Sequence, residues 1–197
     1  MRLKEVRAGL LMLALVAVPA RASAEWQIKP FLGVTFGANT TFNDLDHAAG
    51  NSRVAVGVSG MLIGEIIGIE ADVGHTPGLF DGSGPSRLVL QSGVTTITGN
   101  LVVAMPRHLT KYTLRPYLVG GAGVMRVSIE DFANVFGGDN LATIDLGGGV
   151  TGFLTNRFGV SWDVRYFRSV KGPVVGNSIA PEQLSFWRAN MALAIRF

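Results

Sequence analysis

The clearest pattern in the sequence is an alternation of apolar residues with polar or small ones, which recurs in segments along the chain. It is most regular in the last eleven residues, from Trp187 to Phe197. Met191 has the same parity as both of these aromatic residues, which means that all three occupy odd-numbered positions of the segment, and this parity is apolar. Arg188 and Arg196 lie on the other, even-numbered parity. A period of two is typical of a β-strand with two chemically different faces. The sequence therefore predicts an all-β protein.

Eight such strands are predicted, and their connections alternate between long and short. The strands are expected at residues 27–37, 53–62, 67–75, 95–105, 114–124, 142–153, 158–167 and 187–197. The long connections, rich in turn-forming residues, are predicted as loops over residues 38–52, 76–93, 126–140 and 168–184. This alternation places both chain ends and the short turns at one end of the molecule and the four long loops at the other. It is the layout of an up-and-down barrel.

One parity of the predicted strands carries nearly all of their charge. Its charged members are Lys29, Glu70, Asp72, Arg115, Asp145, Asp163, Arg165, Arg188 and Arg196. The other parity is apolar and has aromatic residues near strand ends, namely Trp26, Phe36, Phe158, Tyr166, Trp187 and Phe197. A soluble barrel of the lipocalin type would turn its charges outward, but aromatic girdles and long loops at one end favour a membrane barrel. The sequence thus predicts an eight-stranded antiparallel up-and-down transmembrane β-barrel with the charges inside.

The predicted interior charges need partners, because an eight-stranded barrel is filled by side chains and has little room for water. An unpaired charge there would be costly. The four acids and five bases of the charged parity are nearly balanced. We therefore expect them to form a structural network of ion pairs that closes the lumen.

The first 24 residues have the pattern of a secretory signal peptide. Basic residues near the start are followed by an apolar run over residues 8–20 and by Ala22-Ser23-Ala24. A membrane anchor is the alternative, but the run is shorter than the roughly 20 residues that a spanning helix needs. The predicted barrel domain then covers residues 25–197. Removal of the signal takes away four bases and one acid, which leaves 13 of each and gives no indication of nucleic-acid binding.

Together these features resemble the OmpA/OmpX-like outer-membrane β-barrel proteins. The resemblance also rests on the strand starts Pro30-Phe31 and Pro116-Tyr117 and on the ending Ile195-Arg196-Phe197. It implies a Gram-negative outer-membrane location with periplasmic chain ends, and it makes Phe197 the signal that the barrel-assembly machinery reads. The resemblance covers the barrel only. We expect no counterpart of the peptidoglycan-binding domain of OmpA, so that function is not transferred.

Candidate catalytic residues are few. The lipid A deacylase type has a His-x-Ser arrangement, but none of His47, His75 and His108 has a serine two residues on. A dyad of His75 with Asp72 is disfavoured because the two residues have opposite parities. The chain has no cysteine, its glycine runs lack a phosphate-loop lysine, and its loop acids match no calcium-loop spacing. We expect no catalytic, cofactor or metal site.

The sequence therefore predicts a non-enzymatic, monomeric outer-membrane barrel surrounded by lipid. Its role would be structural, in envelope integrity, or would lie in binding an extracellular ligand through the loops. A narrow passive pore for ions or small solutes is the first alternative. An outer-membrane lipid-modifying enzyme is the second.

Overall fold

The computed structural model describes residues 24–40, 52–79, 89–110, 114–131, 136–170 and 183–197. Its strands are β1 (Glu25–Thr40), β2 (Arg53–Ile63), β3 (Ile67–Pro77), β4 (Val89–Ala104), β5 (Leu114–Asp131), β6 (Phe136–Phe153), β7 (Phe158–Ser169) and β8 (Leu184–Arg196). Each strand pairs antiparallel with the next, and β8 pairs with β1 to close a barrel. The predicted fold class is confirmed. Within the described ranges, no helix has the length and apolar character needed to span a bilayer.

The strands reach further at the loop end than the sequence predicts. Residues 126–140 were predicted as a loop, but β5 continues to Asp131, β6 begins at Phe136, and their register holds as far as Glu130 opposite Phe136. Strand residues also include 38–40, 76–77, 89–93, 168–169 and 184, which were likewise predicted as loop. At this end the apolar and polar faces change places, since Val127 is buried inside and Arg126 is exposed outside, so the apolar-outward alternation that identifies a membrane strand in the sequence is lost.

Of the other predicted loop residues, 52, 78–79, 170 and 183 are described and are not strand. The rest, 41–51, 80–88, 132–135 and 171–182, lie outside the described residues. The same holds for residues 1–23 of the predicted signal peptide.

One bulge in β1 changes which face its residues occupy. Gly37 has a φ of 60°, and the register with β8 shifts between Phe36 and Asn39. A positive φ is readily adopted by glycine, and the extra residue of a bulge reverses the alternation. Strict alternation from the inward Lys29 predicts that Gly37 faces inward, but the bulge leaves Gly37 exposed and Ala38 buried, so that prediction is wrong.

The outward surface of the barrel is a belt of exposed apolar side chains from all of the strands. Near the short turns it carries Trp26, Phe158 and Phe197, which are 57%, 50% and 76% exposed. Toward the loops, the rings of Tyr166 and Trp187 lie 5.0 Å apart between centroids. Aromatic residues at both rims of an apolar belt are typical of barrels that cross a bilayer.

The interior is layered along the barrel axis. Toward the loop end lies an apolar layer formed by Ala38, Leu79, Val94, Met125, Val127, Phe167, Leu184 and Phe186. Toward the turns lies a second one, formed by Met61, Ile63, Val102, Ala104, Tyr117 and Val119. On β8, for example, the inward residues run from Leu184 and Phe186 to Arg188 and Asn190 and then to Ala192. Charged side chains are therefore held between two apolar layers.

Candidate functional site

The predicted inward charges lie on the inner face of the barrel. Lys29, Glu70, Asp72, Arg115, Asp145, Asp163, Arg165 and Arg188 are buried. Arg196, near the end of β8, is partly exposed. The structure brings six of the nine into one group and leaves three elsewhere.

The group at the centre of the interior is one network of ion pairs, which we call the central cluster. Its members are Lys29, Glu70, Asp72, Asp163, Arg165 and Arg188. Arg165 on β7 is its hub, since Nη1 lies 2.6 Å from Oε1 of Glu70 and 3.8 Å from Oδ2 of Asp72. Its Nε lies 3.0 Å from Oδ1 of Asp163. Because β7 and β3 are not neighbours, the pairs with Glu70 and Asp72 cross the interior.

The other two bases are held by a carboxylate and by aromatic rings. Arg188 Nη2 lies 2.5 Å from Oδ1 of Asp72, and Cζ lies 4.7 Å from the ring centroids of both Phe31 and Phe167. A Cβ at Gly74 would collide with Arg188 Nη1, so glycine leaves room for this guanidinium. A cation over a ring face gains electrostatic attraction, which helps to offset the loss of water.

Lys29 has the same kind of surroundings. Its Nζ lies 3.1 Å from Oε2 of Glu70 and 4.9 Å from the ring centroid of Tyr117. Ammonium, carboxylate and ring are all buried. The three bases of the central cluster thus face its three acids, and the cluster is neutral when all six are ionised.

Neutral side chains donate further hydrogen bonds to two of these acids, Asp163 and Glu70. Asn190 Nδ2 donates to Oδ1 of Asp163 at 2.9 Å, and the Tyr117 hydroxyl donates to its Oδ2 at 3.2 Å. Asn100 Nδ2 donates to Oε1 of Glu70 at 3.2 Å. The sequence analysis placed these residues on the polar face but gave them no role. Their shared parity with the charges was the signal that could have identified them.

Asp145 is buried outside this network. Neither of its carboxylate oxygens accepts a hydrogen bond from the described part of the chain. Its direct neighbours across the sheet are Gly121 on β5 and Phe167 on β7, and neither side chain has a donor. A buried carboxylate without such bonds is destabilising.

Replacing Asp145 with asparagine is therefore expected to stabilise the barrel at pH 8 by about 1 kcal/mol, because the uncompensated charge is removed. The same change at Asp163 is expected to destabilise it by about 3 kcal/mol, because Arg165 loses a buried partner. Urea midpoints of the two variants in lipid vesicles test this contrast. A lower midpoint for Asp145→Asn than for the wild type would show that Asp145 has a stabilising partner.

The remaining two predicted charges lie near the short turns. Arg115 donates to three backbone carbonyls of the described chain, from Nε to Met105 at 3.2 Å and from Nη2 to Gly64 at 2.7 Å and Glu65 at 2.8 Å. Arg196 lies 3.5 Å from Oε2 of Glu25 and donates from Nε to the Asn156 carbonyl at 2.8 Å.

The same Glu25 carboxylate also pairs with Arg107, which begins a 3-10 turn at Arg107–Leu109. Sequence analysis did not predict a role for either residue. Glu25 could have been found by continuing the inward parity of β1 back from Lys29 and Gln27, all of which are buried. Arg107 lies outside the strands, where parity gives no information.

Both histidines in the described ranges, His75 and His108, are exposed. His75 is on the exposed face of β3, with Nδ1 2.9 Å from Thr95 Oγ1, while Asp72 faces the interior. His108 Nδ1 lies 3.8 Å from the exposed Glu65 carboxylate, and His47 is outside the described residues. No cluster of His, Asp and Glu suited to a metal ion occurs in the ranges that the structure describes.

Solved structures with the same fold are bacterial outer-membrane barrels. Neisserial surface protein A matches 88% of this chain and 97% of its own at 13% identity, with a TM-score of 0.63. The N-terminal β-barrel domain of Pseudomonas aeruginosa OprF matches 90% and 100% at 11% identity, with a TM-score of 0.57. Ail, the attachment invasion locus protein of Yersinia pestis, in complex with the heparin analogue sucrose octasulfate, matches 88% and 99% at 12% identity, with a TM-score of 0.53.

At these low identities the structural matches show the fold alone. The family is shown by the match of the sequence to a family model. No curated protein sequence matches the chain. The family model described as "Outer membrane protein beta-barrel domain" matches residues 8–197, which is nearly the whole sequence. The predicted resemblance to OmpA/OmpX-like barrels is confirmed. This chain belongs to the outer-membrane β-barrel family and is an eight-stranded barrel of the bacterial outer membrane.

Proposed function

We propose that this protein is a non-enzymatic outer-membrane barrel with a closed interior, which serves envelope integrity or binds an extracellular ligand through its loop end. The central cluster carries the proposal. Its three bases and three acids are paired across the barrel, and each is at most 7% exposed. Side chains held by several partners of opposite charge do not move aside easily to let solute pass.

The apolar layers on both sides of the cluster support a closed interior. In the layer at the loop end, the rings of Phe167 and Phe186 stack with centroids 5.2 Å apart, and both are buried. A conducting path needs continuous water or polar groups along its length, and hydrophobic constrictions close pores by excluding water. Two such layers and a neutral cluster between them favour the structural role over the passive pore.

The loop end is the part of the barrel that we propose for ligand binding. It lies opposite the turns and the chain ends, which we place in the periplasm. Ail is the attachment invasion locus protein of Yersinia pestis, and its structure was solved with a heparin analogue. A barrel of this fold can therefore bind a ligand, and this supports our proposal of a surface role for the present protein.

Single-channel recording of the refolded barrel in a planar bilayer tests the closed interior. We expect no steady conductance from a sample that migrates as a compact, heat-modifiable band on unboiled gels. Reproducible conductance steps from the same sample would favour the narrow pore for ions or small solutes instead.

Mass spectrometry of outer-membrane lipids incubated with the barrel tests the non-enzymatic proposal, and any new lipid species would contradict it.

We further propose that Phe197 is the signal read by the barrel-assembly machinery. The Phe197 ring is exposed, and its backbone N–H donates to the Trp26 carbonyl at 3.0 Å beside the seam between β8 and β1. Replacing Phe197 with alanine removes the ring and keeps this backbone bond. We expect much less heat-modifiable barrel in cells but unchanged spontaneous refolding in detergent. An equal loss in both would mean that the ring stabilises the fold instead.

A further inference from the structure

The turn end of the barrel has an open pocket of about 790 Å³, which we call the turn-end pocket. Its lining comes from the start of β1, the β4–β5 connection, the β6–β7 turn and the end of β8. Arg107, Arg157 and Arg196 line it, and Glu25 is the one acidic side chain among the described lining residues. The pocket therefore has an excess of positive charge.

The arginines of the turn-end pocket differ in how many hydrogen-bond and ion-pair partners they already have. Arg196 is bonded to the Asn156 carbonyl and the Glu25 carboxylate, and its Cζ lies 4.5 Å from the Phe153 ring centroid. Arg107 shares that carboxylate but its side chain is 45% exposed. The Arg157 side chain is exposed and makes no hydrogen bond or ion pair within the described part of the chain. Arg157 and Arg107 thus have N–H donors available to a bound anion.

The other wall of the pocket is apolar and reaches the membrane-facing surface. Phe158 and Ile195 are direct cross-strand partners on the outward faces of β7 and β8, and Phe197 lies beside them. Phe158 belongs to the aromatic rim of the belt. The pocket therefore joins a basic region near the mouth of the barrel to a surface that contacts acyl chains.

We propose that the turn-end pocket binds an anionic phospholipid, with its phosphate on Arg157 and Arg107 and its acyl chains against Phe158 and Ile195. Guanidinium groups bind phosphate oxygens through paired, charge-assisted hydrogen bonds. The excess charge favours a headgroup with net negative charge over a zwitterionic one. The apolar wall favours a lipid over free phosphate, because it would bury hydrocarbon. The site does not depend on whether the barrel interior is closed.

Native mass spectrometry of the refolded barrel in a non-ionic detergent tests this, with phosphatidylglycerol as the probe. The test variant is Arg107→Gln with Arg157→Gln, and the control is Arg126→Gln with Arg168→Gln, two exposed arginines at the loop end. We expect one phosphatidylglycerol to bind the wild type and the control equally. We expect the test variant to bind it about tenfold more weakly, as loss of two charge-assisted contacts implies. Phosphatidylcholine with the same chains should also bind more weakly.

Equal binding by the test variant and the wild type would overturn the proposal, as would equal binding of the two lipids. Displacement of phosphatidylglycerol by millimolar inorganic phosphate, with no effect of acyl-chain length, would assign the pocket to free phosphate and overturn the lipid. A heat-modifiable band must first show that each variant is folded. If the double variant does not fold, Arg157→Gln replaces it, since that side chain has no partner to lose in the described structure.

Discussion

Replacing Arg165 with methionine is expected to lower the free energy of unfolding by about 3–5 kcal/mol, the usual cost of removing one partner from a buried ion-pair network. The substitution keeps much of the side-chain volume but leaves three carboxylates facing two bases. Glu70, Asp72 and Asp163 would each lose an atom of opposite charge that now lies within 4 Å. The urea midpoint in lipid vesicles, followed by the heat-modifiable band, measures the loss.

Arg168 on the same strand provides a matched control. It lies three residues further along β7 and is exposed, so Arg168→Met should change the midpoint little. Adding Asp163→Asn to Arg165→Met should restore part of the loss, because Asp163 has Arg165 as its base partner in the described structure and is the carboxylate left uncompensated, whereas Glu70 keeps Lys29 and Asp72 keeps Arg188. Equal midpoints for the two arginine variants would show that the central cluster does not stabilise the barrel.

The face occupied by each of these charges could be predicted, but their partners could not. A period of two fixes the face, so the buried positions of Arg165 and Glu70 follow from the sequence. Pairing across the interior also needs the register of each strand with its neighbours. Register explains why Asp145, on the same face, lies beside Gly121 and Phe167 and lacks a hydrogen-bond donor.

The apolar layers were missed for a related reason. The inward parity was identified by its charged residues. Phe167, Phe186 and Met125 share that parity without being charged, so the layer that they form was not predicted. A small barrel fills its interior with whatever side chains its inward positions supply. Strand ends were missed at the loop end, as at residues 126–131, because the outward residues there are no longer apolar: Arg126 is exposed while Val127 is buried.

The second large effect is expected on the outward surface. Replacing Leu101 with arginine should cost about 2–4 kcal/mol, the range for a charge on the lipid face near the middle of the bilayer. Leu101 is 64% exposed and lies in the middle of a run of outward apolar residues from Ile97 to Met105, the last of which directly follows β4. Its cross-strand neighbours, Ile69 and Gly120, offer no polar partner. Refolding yield and urea midpoint in vesicles measure the cost.

Val103 is the matched control, because it has the same orientation on the same strand at a different depth. It lies next to Ala104, the last residue of β4, so an arginine there can extend its charged group to the interface at the turns. Val103→Arg should therefore cost only about 0–1 kcal/mol, as charges near the interfaces do. The difference between the two variants depends on depth alone, since both replace an exposed aliphatic residue with arginine. Equal costs at the two positions would mean that this face of β4 does not lie against a bilayer core.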